Sequence, residues 1–212
     1  MTELVIFDCD GVLVDSENIG KSVLAQAATQ EGAAIGADEA LQLFRGLSMA
    51  ECVAEIERRS GRRVHDNFVA DVRRAMATAF ESDLRAIEGI HAALAAITRP
   101  VCVASNGTMA KMEHMLRLTN LLGHFEGRIF SAYDIGAWKP DPGLFLHAAQ
   151  ALGAEPSRCI VVEDSLSGIR AAHAAGMRVL GYTAGDAHAI SELGTECADL
   201  FHSMDELPAL LS

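Results

Sequence analysis

Four short apolar runs rich in β-branched residues, at 4–7, 101–104, 160–162 and 179–182, constrain the fold of this chain most strongly. Stretches with helical periodicity separate the last three. Strands alternating with helices predict an α/β fold with a parallel, doubly wound sheet. Pro100 opens the second run, a position where a strand tolerates a residue without an amide hydrogen. Between about 16 and 83 the pattern changes, and no strand is legible. Phe68, Val72, Met76 and Phe80 recur every four residues, Ile19, Val23, Ala27 and Gln30 suggest a second helix, and Gly32, Gly36 and Gly61 punctuate the region. The expectation is an α/β core made of 1–15 and 84–212, interrupted after its first strand by an all-helical insert, 16–83.

At 212 residues, half of them apolar, the chain can hold one large core plus a small inserted domain. Its formal net charge of -12 argues against nucleic acid and anionic membrane as partners. It leaves room for a phosphorylated small molecule wherever cations cluster locally. The five cysteines are scattered and form no CxxC pair, so neither a disulfide framework nor a zinc site is expected. The N-terminal stretch has no basic-then-apolar leader, and no apolar run approaches about 18 residues, so a cytoplasmic location is expected. The expected assembly is a monomer or a weak homo-oligomer.

The first apolar run ends in Asp8-Cys9-Asp10-Gly11. Ligands bind at the carboxyl ends of strands in open α/β sheets, and two carboxylates there can share a hard, oxygen-seeking cation. The run at 101–104 ends in Ser105-Asn106-Gly107, where a hydroxyl and following amides can hold phosphate oxygens at a helix start. In "WKPDP", Pro140 and Pro142 bias Lys139 and Asp141 toward extended backbone, which could aim one ammonium inward. The run at 160–162 ends in Glu163-Asp164, with Ser165 starting a helix and Gly168 allowing close packing. Taken singly, each cluster has a plainer explanation: a solvated Asp turn, a helix N-cap, a surface lysine, another N-cap. Taken together, strand ends bring Asp8, Asp10, Glu163 and Asp164 toward one sheet edge beside Ser105 and Lys139. Converging carboxylates repel one another unless cations neutralise them, and magnesium with Lys139 would do so while attracting a phosphate dianion. "NIGKS" at 18–22 imitates the end of a P-loop, but Asp15 stands where the first glycine belongs and no strand precedes it.

In order and spacing, "FDCDGVLVDSE", "VASNG", "WKPDP" and "VVEDSLSGIRAAHAAGM" resemble the four motifs of the haloacid dehalogenase superfamily, within it the phosphatases whose helical cap follows the first strand. "FRGLSMAE", "SDLRAIEG", "SNGTMAKMEHML" and "FSAYDIGAWKPDP" are similar to the bacterial 6-phosphogluconate phosphatase group. The resemblance implies a magnesium-dependent phosphatase acting on a small phosphorylated sugar or sugar acid, with 6-phosphogluconate the first candidate. Asp8 would be the nucleophile that forms an aspartyl-phosphate, and Asp10 the general acid and then base. Magnesium would be held by Asp8, the backbone carbonyl of Asp10 and Asp164, with Glu163 alongside. Ser105, the Asn106 backbone and Lys139 would bind the transferring phosphoryl group. The cap would close over the site, with Arg45 and Gly46 of "FRGLS" in the substrate-reading loop; Arg45 could equally be an exposed helix-end cation. Two alternatives within the family are a β-phosphoglucomutase-like isomerase and a phosphoglycolate or 2-deoxyglucose-6-phosphate type of phosphatase. The mutase relatives carry a histidine early in the cap helix; Gly20 holds that position here, and the first histidine of the chain is His65.

Overall fold

The run Leu4–Phe7 forms strand β1, and all four of its side chains are buried. A strand that is apolar on both pleats needs cover on both faces, the situation of a parallel sheet flanked by helices. The computed structural model describes residues 2–44 and 47–211. The chain divides into two compact units, Met1–Asp15 with Arg85–Ser212, and Ser16–Leu84.

Among the described residues, the unit Ser16–Leu84 contains helices α1 (Glu17–Gln30), α2 (Ala37–Leu43), α3 (Met49–Ser60) and α4 (Phe68–Asp83). A reciprocal capping box starts α3: the Glu51 amide donates to Ser48 Oγ, and the Ser48 amide donates to the Glu51 carboxylate at 2.7 Å. Helix α4 buries Phe68, Val72 and Phe80, while Met76 packs half-buried against the unit's core, so the four-residue stripe is real. Burial of Ile56, Phe68 and Val72 contributes about 1.5–3 kcal/mol each. Helix α1 departs from its expected face. It buries Leu24, Ala25 and Ala28, leaves Gln30 exposed, and turns Ile19 and Val23 to an open groove shared with Ala75 and Ala79 of α4. An alanine-rich helix is nearly as apolar on one face as on another, so packing partners rather than periodicity decide which face goes inward.

After the insert come α5 (Ile90–Ala96), β2 (Val101–Ser105), α6 (Met109–Leu118), α7 (Leu122–Phe125), β3 (Ile129–Ser131), α8 (Ala132–Ile135) and α9 (Gly143–Ala151). Then follow β4 (Cys159–Glu163), α10 (Leu166–Ala174), β5 (Arg178–Tyr182), α11 (Ala187–Leu193), β6 (Leu200–Phe201) and α12 (Leu207–Leu210). The strands form one parallel sheet in the order β3-β2-β1-β4-β5-β6. The chain runs outward from β1 to β3, returns to β4 at the other side of β1, and runs outward again. The switch point therefore lies between β1 and β4, where such sheets bind ligands. Phe7 pairs with Val162 in register, so Asp8 and Glu163 emerge side by side. Leu4 and Ile6 join a core with Phe145, Val161 and Ile169, and on the other pleat Phe7 meets Phe125 edge to face, centroids 6.1 Å apart.

The sheet has two strands beyond those read from apolar runs, β3 and β6. They are its edges, three and two residues long, too short to carry a period of their own. All five cysteines are buried and free. No helix among the described residues is long and apolar enough to cross a membrane. The chain leaves and re-enters the core along a paired seam: Val14 bridges Ala86 antiparallel, the Asp15 amide donates to Arg85 O at 3.0 Å, and the Ile87 amide to Leu13 O at 3.0 Å.

Candidate active site

Asp8 is the first residue beyond β1, and its amide donates to Val162 O at 3.0 Å, which continues the β1–β4 pairing by one step. Its Oδ1 accepts from Lys139 Nζ at 2.6 Å. Its Oδ2 accepts no bond from the described residues. Because no buried side-chain oxygen or nitrogen there lacks a partner, Oδ2 is the part of this side chain that stays open to solvent.

Lys139 arrives from the loop before α9, and its side chain is only 3% exposed. Its ammonium bridges Asp8 and Glu163 and lies 5.0 Å from the centroid of the Phe145 ring. The loop is clamped by Asn106, whose Oδ1 accepts from the Lys139 amide at 2.9 Å and whose Nδ2 donates to the Lys139 carbonyl at 3.4 Å. Asn106, whose backbone is the part expected at the phosphoryl group, thus has its side chain engaged in positioning the lysine. Ser105 is buried at the end of β2, and its Oγ accepts from the Gly107 amide at 3.3 Å. It does not cap α6; Thr108 does.

Glu163, expected alongside the magnesium, has both oxygens engaged by protein donors. Its Oε1 accepts from Lys139, while its Oε2 accepts from the amides of Asp164 and Ser165 at 3.0 Å each and from Ser165 Oγ at 2.9 Å. The carboxylate is folded under the N-terminus of α10, where a negative charge is favoured. Gly168 makes this possible: a Cβ there would lie 1.9 Å from the Glu163 carboxyl carbon. Glu163 is therefore an anchor for Lys139, with both oxygens engaged by protein donors. Asp164 instead packs over Gly11, where a Cβ would come within 2.0 Å of its Oδ2 and where φ is +77°. Glycine in the first motif meets both needs at once.

Asp10 meets a partner that the motifs did not single out. Lys111 Nζ lies 2.7 Å from Asp10 Oδ1 and 2.8 Å from Oδ2. The P-loop imitation disappears, because 18–22 lie inside α1, where Lys21 pairs with Glu17 at 2.6 Å. Arg45 and Gly46 lie outside the described residues.

Around the ends of β1 and β4 stand four carboxyl groups (Asp8, Asp10, Glu163, Asp164) and two ammoniums (Lys111, Lys139). Burial pushes the Asp8 carboxyl up to about 7, with Glu163 and Asp10 adding to the rise and Lys139 opposing it. Burial works against the Lys139 ammonium as well, but Asp8 and Glu163 outweigh it and hold its pKa above the ordinary lysine value. Among the described residues no three His, Cys, Asp or Glu side chains gather as a ready-made metal cluster. The donor set fits magnesium all the same: the donors are oxygen only, acidic groups outnumber ammoniums, and magnesium keeps several waters and takes only one or two carboxylates. With Glu163 engaged, Asp8 and Asp164 are the side chains that could serve.

The family model for haloacid dehalogenase-like hydrolases matches residues 2–176. The chain is 40% identical over 187 residues to the 6-phosphogluconate phosphatase of Escherichia coli (strain K12), covering 88% of this chain and 84% of that one. The crystal structure of a conserved haloacid dehalogenase-like protein from Agrobacterium tumefaciens str. C58 superposes with a TM-score of 0.85 at 34% identity, over 100% of this chain and 98% of that one. A HAD family hydrolase from Deinococcus radiodurans R1, solved with bound phosphate and sodium, gives 0.79 at 30% identity, over 99% and 95%. With Asp8 just beyond the strand at the switch point and a buried lysine beside it, the chain belongs to the haloacid dehalogenase-like hydrolases, as a phosphoric monoester hydrolase.

Proposed function

We propose that this hydrolase is a magnesium-dependent phosphatase of small phosphorylated sugars or sugar acids, with 6-phosphogluconate the first substrate to try, working through an aspartyl-phosphate. The observation that carries the chemistry is the Asp8 carboxylate, whose Oδ1 is held by Lys139 while Oδ2 faces solvent. The likeness to the Escherichia coli 6-phosphogluconate phosphatase supports the substrate.

In this reading Asp8 Oδ2 attacks phosphorus in line, a P–O bond forms to Asp8, and the ester P–O bond breaks. Asp10 gives its proton to the departing alkoxide, then takes one from the water that cleaves the acyl phosphate and releases inorganic phosphate. Lys139, fixed by Glu163 and Asn106, neutralises oxygen charge on the phosphoryl group as it transfers, and Ser105 with the Asn106 amide holds its oxygens. Magnesium, when bound at Asp8 and Asp164, would offset carboxylate charge and draw charge from the phosphoryl oxygens. A positioned nucleophile and a preset cation suit a reaction whose uncatalysed rate calls for up to ~10²¹-fold acceleration.

The test is a phosphate-release screen over sugar phosphates and phosphorylated sugar acids, with magnesium and with EDTA. Magnesium-dependent release with 6-phosphogluconate among the best substrates is expected. Equal release in EDTA would refute the metal, and indifference to 6-phosphogluconate would refute the substrate.

A further inference from the structure

Lys111 sits in the first turn of α6, where the Thr108 hydroxyl caps the helix by accepting from the Lys111 amide at 3.4 Å. A cation there opposes the helix dipole, and no acidic residue in that turn offsets it. The partner comes from elsewhere in the fold: the ammonium lies within 2.7 and 2.8 Å of the two oxygens of Asp10, 101 residues away in sequence. Asp10 outweighs the burial of the Lys111 amine and keeps its pKa above the ordinary value. The two side chains are 36% and 25% exposed, and an ion pair in such surroundings adds little to stability. Asp10 Oδ2 also lies 3.9 Å from where a Gly107 Cβ would be, and Ser105 Oγ lies 3.7 Å from that same point. The pair therefore stands beside the loop that follows β2.

We infer that Lys111 is a positioning residue for Asp10: by gripping both carboxylate oxygens it fixes the rotamer from which Asp10 serves the leaving-group oxygen. The inference rests on the reading of Asp10 as general acid. In that step Asp10 delivers its proton to the alkoxide as the ester P–O bond breaks and is left as a carboxylate, the form that Lys111 holds. A carboxyl fixed at its working angle contributes only where the leaving group needs a proton. Lys111 should therefore matter for alkyl phosphates and hardly at all for an ester whose leaving group departs as a stable anion.

The experiment compares kcat/KM for the best sugar phosphate from the screen with kcat/KM for p-nitrophenyl phosphate in wild type, K111M, K111R and D10N. This constant reports events only through departure of the leaving group. K111M should lose about 10- to 100-fold on the sugar phosphate, part of the usual worth of general acid–base help, with less than about 3-fold on p-nitrophenyl phosphate. K111R should recover most of the loss, because a guanidinium grips a carboxylate with two donors. Thermal melts confirm that each variant is folded at the assay temperature, with K111Q replacing K111M should the latter unfold. Equal losses on both esters, or none on the sugar phosphate, overturn the inference. D10N separates the two readings: if it is selective for the sugar phosphate while K111M is not, the Lys111 inference alone falls. If D10N is not selective either, the general-acid reading falls and takes the inference with it.

Discussion

Lys139 Nζ stands 2.6 Å from Asp8 Oδ1 and bonds Glu163 with the same nitrogen, all three side chains being at most one-tenth exposed. One buried cation thus serves two acids. Glu163, tied to the α10 N-terminus, holds the lysine, and the lysine in turn faces the carboxylate proposed to react. Its position is set before substrate arrives, as electrostatic catalysis requires.

Asp8→Asn keeps the shape of the side chain and removes its nucleophilic charge. Turnover of any phosphate ester should fall by several orders of magnitude. Acid quenching of wild type during turnover of radiolabelled substrate should trap label on the protein, and Asp8→Asn should trap none. Near-normal turnover by the variant would remove Asp8 from the role.

The same substitution should change how stability responds to pH. The Asp8 carboxyl rises from an ordinary 3.8 to about 7 on folding. Between those values the folded state keeps a proton that the unfolded state has released, so raising the pH through this window weakens the fold, and above about 7 the loss is complete. In EDTA, the melting temperature of Asp8→Asn relative to wild type should therefore be higher at pH 8 than at pH 5. A difference that does not change with pH would contradict the assigned shift.

After chelation, magnesium should restore activity and calcium should restore little. Calcium takes more oxygen ligands at longer distances and in looser geometry than magnesium. A titration of phosphate release with each ion decides the matter, and equal restoration would argue against a magnesium-fitted site.

Gly168→Ala puts a methyl group into the Glu163 carboxylate, which four protein donors hold in place. Overpacking of this kind costs about 1–3 kcal/mol, read as a lower urea midpoint. Gly123→Ala is the control. A Cβ there meets nothing within 4 Å, and a small gain of about 0.4–1 kcal/mol from a stiffer unfolded chain is expected. If both changes behave alike, Gly168 is not the space that admits Glu163.

Hydrolysis should prevail over phosphoryl return. Gly20 lies within α1, and the nearest atom a side chain there would meet is Met76 Cε, 3.7 Å from an added Cβ. It has no imidazole with which to hold a phospho-enzyme away from water. With β-glucose 1-phosphate and catalytic glucose 1,6-bisphosphate, an assay coupled to glucose-6-phosphate dehydrogenase should show phosphate release without sustained NADPH. NADPH forming faster than phosphate would favour the mutase.

The sheet and most of the site are legible in the sequence for one reason. Asp8, Ser105, Glu163 and Asp164 each lie at or just beyond the end of an apolar run, so reading a parallel sheet already sends them to one edge. Lys139 is legible through the stiff prolines around it. The role of Glu163 is less so, because two adjacent acids after a strand read as cation ligands. Only the glycine one turn along, at 168, hints that the first acid folds back under the helix. Lys111 is quieter still: a lysine in a helix is ordinary, and its sole mark is a positive charge in a first turn with no acid beside it. The edge strands β3 and β6 escape because two or three residues cannot display a repeat. The inner face of α1 escapes because its alanines leave two faces nearly equal.

The seam at Leu13–Asp15 and Arg85–Ile87 gives the core a closed edge at the place where the insert departs. Entry and exit are stitched to each other before the chain leaves for Ser16 and after it returns from Leu84. The two ends of any segment placed between them are held one strand spacing apart whatever its length, so the span to be closed does not change. Heredity can rework that segment as a single cassette while the catalytic sheet keeps its register, and a laboratory can swap it at the same two joints.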